Sequence, residues 1–259
     1  MAADTDRLTA RIVLRAVLPV IKVLLEDDPK TRNRFEGVTA TVQFVANDPG
    51  GGPMASHITF NNGAFAIVHE PAEHPDLTFR FSSLRKMNAM FAGKPVLPRI
   101  HGLRNVGLLL KMLGVLMRLK LLMPNKAPKT PDEARLKVKL ILYMISTALS
   151  QLNKGGDPDM VKWTSKQPDR IYQWSVEPEG IACYLRVKAG KTKAGRGCYT
   201  RRKPFVHMKF AGVEGALPVL TNSIDTVQAM TRGLVENIGS PEYGGQIGDF
   251  MLKIARMLT

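Results

Sequence analysis

The chain is poor in cysteine, in aromatic residues and in acids relative to bases, and each shortage excludes something. Two cysteines in 259 residues, Cys183 and Cys198, cannot staple a fold, so a disulfide-framed secreted scaffold is excluded and two reduced thiols are expected. Aromatic content of 7%, with no recognisable nucleic-acid module, argues against a single-strand binder, which needs rings interleaved with its bases. No apolar run of about 18 residues is free of charge, which argues against a membrane-spanning helix. The opening residues, with Asp4, Asp6 and Arg7, do not follow the charged, apolar, small-residue order of a secretion signal. The expectation is a cytoplasmic protein.

What is there is an ordinary apolar fraction of 44% and a large excess of base, 37 Lys and Arg against 22 Asp and Glu, for a net charge of +15. The excess runs through the whole chain: residues 1–125 hold 16 bases and 10 acids, residues 126–259 hold 21 and 12. Such a field favours polyanions, among them anionic membrane surface, nucleic acid and phosphorylated small molecules, without choosing among them.

Along the chain, helical and extended texture alternate as blocks. Residues 7–25 have apolar positions on one broad face and bases opposite, predicting a helix that Pro19 kinks or breaks. Val38–Val45, His57–Phe60, Ala64–Val68 and Asp76–Phe81 read as strands, with Asn61-Asn62-Gly63 as a hairpin turn. A short helix opens at Ser82 or Ser83 and ends at Gly93, an extended piece spans Val96–Ile100, and a long helix covers 104–122. A Pro/Lys-rich linker at 125–131 closes this first lobe. Thr130-Pro131-Asp132-Glu133 starts a helix to about Leu152. Strands at Ile171–Val176, Ala182–Val187 and Phe205–Phe210 follow, then helices at 212–221 and 225–232, an extended stretch from Gly233, and a last helix from Ser240. The two halves, 1–125 and 126–259, share an order of elements rather than identity. The fold class is α+β: mostly antiparallel sheets covered by helices, in two lobes.

The most unusual segment is Val106–Met123. Arg104, Lys111 and Arg118 recur every seven residues and so form one line down the helix. Nearly all the rest of the circumference is Leu, Met, Val or Gly. A surface helix normally has an apolar stripe little over 100° wide. This one must bury one side and offer another to a ligand, a partner or a membrane surface, and flexible Met side chains suit varied apolar shapes.

Asp76-Leu-Thr78-Phe-Arg-Phe81-Ser82, Met90-Phe-Ala-Gly93-Lys94-Pro and Ile100-His-Gly102 before an apolar helix resemble the sterol carrier protein 2 family. The resemblance covers residues 1–125 in element order and some fifty of them in motif. It implies a twisted five-stranded sheet covered by helices, with a tunnel for a sterol, fatty acid or fatty acyl-CoA. It places Leu84, Met87, Met90 and Phe91 on the helix beneath that tunnel, and Leu109, Met112, Leu113 and Leu116 on its terminal-helix wall. The Gly93–Gly102 stretch is shorter than the family's, and the closing helix is more apolar and more basic. The second half resembles the family only in layout and in its Gly239-Ser-Pro-Glu-Tyr243 helix start.

Other chemistry is weaker. His69 and His74 are five apart between prolines, not the i, i+4 pair of a zinc helix. Gly190-Lys191-Thr192 lacks the earlier glycine of a phosphate loop, since position 185 is Leu. No Gly-x-Ser-x-Gly elbow occurs. Neither a metal site, a cofactor nor a catalytic residue is assigned. Lys188, Lys191, Lys193, Arg196, Arg201, Arg202 and Lys203 form a basic loop, read either as a solvated hairpin or as contact for lipid headgroups or a CoA phosphate. The leading expectation is a carrier of apolar lipid with peripheral contact to anionic membrane. The alternatives are an interaction or homo-oligomerisation protein docking through helix 104–122, or the substrate-holding part of an enzyme acting on acyl-CoA.

Overall fold

The computed structural model describes residues 2–259 and divides into two compact units, one running to Lys120 and taking in Leu258–Thr259, the other Leu121–Met257. The first begins with α1 (Ala2–Ile12), α2 (Ile21–Asp27) and α3 (Pro29–Phe35), followed by β1 (Ala40–Ala46), β2 (Met54–Asn61), β3 (Ala64–Val68) and β4 (Leu77–Phe81). α4 (Leu84–Phe91), β5 (Arg99–His101) and α5 (Val106–Leu119) complete it. The helix expected over 7–25 is interrupted, as Pro19 demands. Proline has no N–H and its ring crowds the carbonyl four residues earlier, so the backbone widens to a π turn at Val13–Val17 and tightens to a 3-10 turn at Leu18–Val20.

The second unit has α6 (Pro131–Lys154), α7 (Pro158–Ser165), β6 (Arg170–Glu177), β7 (Ile181–Lys188), β8 (Lys191–Arg196) and β9 (Val206–Ala211). It ends with α8 (Gly212–Leu220), α9 (Thr226–Thr231), β10 (Val235–Gly239) and α10 (Pro241–Met257). α3 and α7 fall where no helix is expected. α3, Pro29-Lys-Thr-Arg-Asn-Arg-Phe35, has no apolar period to betray it; α7 has a start signal in Asp157-Pro158, and the Asp157 carboxylate accepts from Met160 N–H at 3.0 Å.

Each unit is α+β with one five-stranded sheet. The orders are β3-β2-β1-β4-β5 and β8-β7-β6-β9-β10. In both, a three-strand antiparallel meander is extended by a parallel neighbour, β4 along β1 and β9 along β6, and by an antiparallel edge, β5 or β10. The correspondence reaches single residues. The amide of Asp76 donates to Thr41 O and that of Phe205 to Ile171 O. From those anchors, Gln43 and Gln173 hold the same place on the central strand. Both use the side-chain oxygen to hold the loop that leads into the parallel strand, accepting from Ala72 N at 2.7 Å and from Tyr199 N at 2.8 Å.

Strand alternation puts Val42, Phe44, Ile58, Phe60, Phe79 and Phe81 on one face of the first sheet, all buried. Phe44 and Phe79, paired across β1 and β4, stack at 4.9 Å. The corresponding face of the second sheet carries Tyr172, Trp174, Val176, Cys183, Leu185 and Phe210, equally buried. Cys183 donates to Leu142 O, and burial pushes its thiol up to about 12, leaving it an inert core residue.

Candidate functional site

α5 is built by Asn105, whose side-chain oxygen accepts from Leu108 N at 3.0 Å and caps the first turn. Leu108, Met112, Val115 and Leu119 return every three or four residues and are buried; the helix packs on α2 and α3. Arg118 fixes the end of this seat. Its guanidinium meets the buried Asp28 carboxylate at 3.1 and 3.3 Å, and the second oxygen-sharing partner is the Thr31 hydroxyl at 2.6 Å. At Gly114 the absent side chain leaves room for the Arg34 guanidinium, which stands 2.8 Å from where a Cβ would be. On the opposite side Val106, Leu110, Leu113 and Met117 are 41–63% exposed. Leu109 and Leu116 lie between the two faces, half-buried.

α4 is capped by Ser83, whose hydroxyl accepts from Lys86 N, and packs on α1 and β4. Leu84 and Met87 are buried, Met90 and Phe91 half-buried. The Phe91 ring stands edge-on to Phe44 at 6.1 Å, above the Phe44–Phe79 stack. The eight residues assigned by the resemblance therefore divide. Leu84, Met87 and Met112 are inside the protein's own packing, Met90, Phe91, Leu109 and Leu116 are partly accessible apolar surface, and Leu113 is open to solvent.

The basic segment is corrected in kind: 188–203 is not one loop. Ala189 and Gly190, with φ of 45° and 80°, form a two-residue turn that folds Lys191–Arg196 back on Cys183–Lys188 as the edge strand β8. Lysine is common on such edges, where it discourages pairing with other chains. Alternation then separates the bases. Lys188, Lys191 and Lys193 share a face with Arg186, cross-paired as Lys188–Lys191 and Arg186–Lys193. Arg196 is on the other face, 5.0 Å from the Tyr143 ring. Arg201, Arg202 and Lys203 precede β9, and Arg202 shares Asp169 with Arg186. Hydrogen bonds from Arg186, then Arg202, hold the Asp169 carboxyl down at about 2 against the opposing effect of desolvation.

Sequence reading missed two histidine pairs and an aromatic cluster, because each joins distant segments. Ser175 Oγ lies 2.8 Å from His207 Nε2, with the Glu177 carboxylate at 3.4 Å from the same hydroxyl. Ser175 is buried, so its hydroxyl is not presented as a nucleophile. Ser56 Oγ lies 2.9 Å from His69 Nδ1. Burial, then the charges of Arg15 and Arg11, lower His69 to about 4 from 6.5. Because the folded value is the lower, the unfolded chain binds the extra proton between those limits. Stability should therefore fall as pH drops from about 6.5 to about 4 and level off below. Denaturant melts at stepped pH should show His69→Gln losing that part of the acid limb; a variant as acid-sensitive as the native chain there would contradict it. In the second unit Trp163, Tyr243 and Phe250 line a cleft of about 380 Å³, with Trp163 Nε1 donating to Gln246 at 2.6 Å. The Arg170 guanidinium lies over both Phe205 and Tyr243, at 4.0 and 4.3 Å. Among the described residues no cluster of His, Cys, Asp and Glu could hold a metal ion.

No family model and no curated protein matches the chain. Solved structures do. A palmitated SCP2L2 from Aedes aegypti is 16% identical, over 41% of this chain and 90% of that one, with a TM-score of 0.30. A conserved hypothetical protein, possibly a sterol carrier protein, from Thermus thermophilus is 20% identical over 44% and 86%, with a TM-score of 0.31. An inverting sec-alkylsulfatase from Pseudomonas sp. is 13% identical over 63% of this chain and 31% of that one, with a TM-score of 0.27. The α+β assignment rests on the sheet order and register given above; the five-stranded sheet that the resemblance implies for the first half is present there, and the second unit has a sheet of the same order.

Proposed function

We propose that this protein binds and carries an apolar lipid, a sterol-like molecule, fatty acid or fatty acyl-CoA, without chemistry of its own. The observation that carries the reading is α5, apolar on its buried side, its open side and the half-buried flank between them. Leu109 and Leu116 on that flank, with Met90 and Phe91 on α4, are the residues proposed to meet the ligand. Removing their surface and the ligand's from water supplies affinity at about 25 cal/mol per Å². The motif resemblance around Asp76–Gly102 supports the same reading. So does the role of Asp76, whose carboxylate accepts from Thr41 N at 2.7 Å and ties β4 to β1. The net charge of +15 fits delivery to anionic membrane, with Lys188, Lys191 and Lys193 as a second place for anionic headgroups. The free thiols fit a reducing, cytoplasmic setting.

Met112 is fully buried, so charging it would cost the fold and test nothing about a ligand. Leu109→Asp with Leu116→Asp is the better probe. Uptake of a fluorescent long-chain fatty acid should fall by about tenfold or more, because a carboxylate must be desolvated beside the ligand, while far-ultraviolet circular dichroism is retained. A folded double variant that takes up the probe as the native chain does would overturn the assignment.

A further inference from the structure

α5 carries an apolar face that its fold does not use. Val106, Leu110, Leu113 and Met117 recur at four, three and four residues, which aligns them along one side of the helix. All four are 41–63% exposed, directly opposite the face packed on α2 and α3. Leu97 and Leu103, in the stretch leading into the helix, are 94% and 56% exposed. Exposed large apolar side chains scattered singly need no explanation, but a contiguous row does. Nor does the architecture require it. α10 occupies the same place after the edge strand of the second unit, and among its described residues only Leu252 is comparably exposed. α10 also carries Glu242 and Asp249, whereas α5 has no acid.

Charge identifies what would cover the row. Between Leu77 and Pro131 the chain has eleven Lys and Arg and neither Asp nor Glu. Arg104 stands just before the helix, Lys111 is on its flank in line with Arg118, and Lys120 follows the row at its end. A second copy seated on this face would bring the same bases against each other. A phospholipid surface bearing negative headgroups complements both features, since long basic side chains reach the headgroups while Leu and Met enter the acyl boundary. From Val106 to Met117 the row is about 16 Å long at 1.5 Å per residue, enough to lie in the interface. No helix of the described residues is long and apolar enough to cross a membrane.

We infer that α5 docks the protein flat on anionic bilayer through Val106, Leu110, Leu113 and Met117. This deepens the lipid-carrier reading and rests on it for the reason the protein approaches a bilayer. Its test is flotation of the full chain with vesicles of phosphatidylcholine alone, or of phosphatidylcholine mixed with phosphatidylserine. The native chain should float with the mixed vesicles and be released by salt, as screening requires. Leu110→Ser with Leu113→Ser and Met117→Ser should lower the bound fraction by about tenfold or more, while the far-ultraviolet circular dichroism of the native chain is retained. Arg104→Gln with Lys111→Gln should weaken binding only to the mixed vesicles. Uptake of the fluorescent fatty acid from solution should survive the triple substitution, which separates docking from carriage. The inference is overturned if the native chain ignores mixed vesicles, or if the triple variant floats as the native chain does. It is equally overturned if that variant dissolves an oligomer and leaves flotation intact, or loses uptake together with flotation, which would make the row a ligand wall.

Discussion

Gly102→Ala and Gly239→Ala should each destabilise the protein by about 3 kcal/mol or more, lowering a thermal midpoint by roughly 10 °C. The two glycines occupy one structural position, the end of the edge strand in each unit. Their φ angles are +91° and +105°, a region that side-chain-bearing residues rarely adopt. A Cβ on Gly102 would stand 2.0 Å from the carbonyl oxygen of Asp76, and one on Gly239 2.1 Å from that of Phe205. The obstacle is backbone at the entry to β4 or β9, the antiparallel neighbour of the edge strand, so nothing flexible can move aside. Asp76 and Phe205 are also the residues whose amides start the pairing with the central strand, so relief by backbone shift would loosen the sheet. Differential scanning calorimetry checks this; a change below about 0.5 kcal/mol at either site, the range of ordinary surface substitutions, would contradict the strand-end geometry.

Lys137→Met should cost about 2–4 kcal/mol, although a lysine removed from a helix is usually of little consequence. Lys137 is 1% exposed, and its ammonium donates to Met123 O at 2.8 Å and Lys126 O at 2.6 Å, with Pro124 O at 3.5 Å. It thereby ties the proline-rich segment before α6 to the helix itself. Burial lowers its pKa from the ordinary lysine value, yet the carbonyls reward the charged form, and methionine would take the one donor away from all three. Lys154→Met, at an exposed position of the same helix, is the control and should stay within about 0.5 kcal/mol. Urea denaturation of both variants decides the matter.

Local chemistry was the part of this protein most legible from its residues. Thr130 accepts from Glu133 N at 3.2 Å while the Glu133 carboxylate accepts from Lys129 N at 2.8 Å, so the start of α6 is written within five residues. Asn62-Gly63 turns the first hairpin as that dipeptide should, both at positive φ. The equivalent turn in the second unit uses Ala189-Gly190, and alanine is no advertisement for a left-handed backbone. That substitution, with the Lys/Gly texture that followed, disguised β8 as a loop. Relations between distant segments were not legible at all. Gln43 and Gln173 are unremarkable polar residues until the register puts both on a central strand below a crossing loop. Ser175 and His207 meet because β6 and β9 are parallel neighbours, a pairing no local pattern announces. For α5 the circumference was readable as excessively apolar, but which side would be buried depended on α2 and α3 and on the Arg118–Asp28 anchor. The family resemblance puts Leu113 with Met112 on one ligand wall; one helical residue's rotation of 100° puts the first in solvent and the second in the core.

Whether a lipid occupies this protein is tested most directly by native mass spectrometry of the freshly purified chain, with solvent extraction of the same sample. The proposed role predicts a mass above that of the polypeptide, resolved by extraction into a sterol or long-chain acyl compound. A bare polypeptide mass, unchanged after incubation with fatty acid, acyl-CoA and sterol, would contradict it.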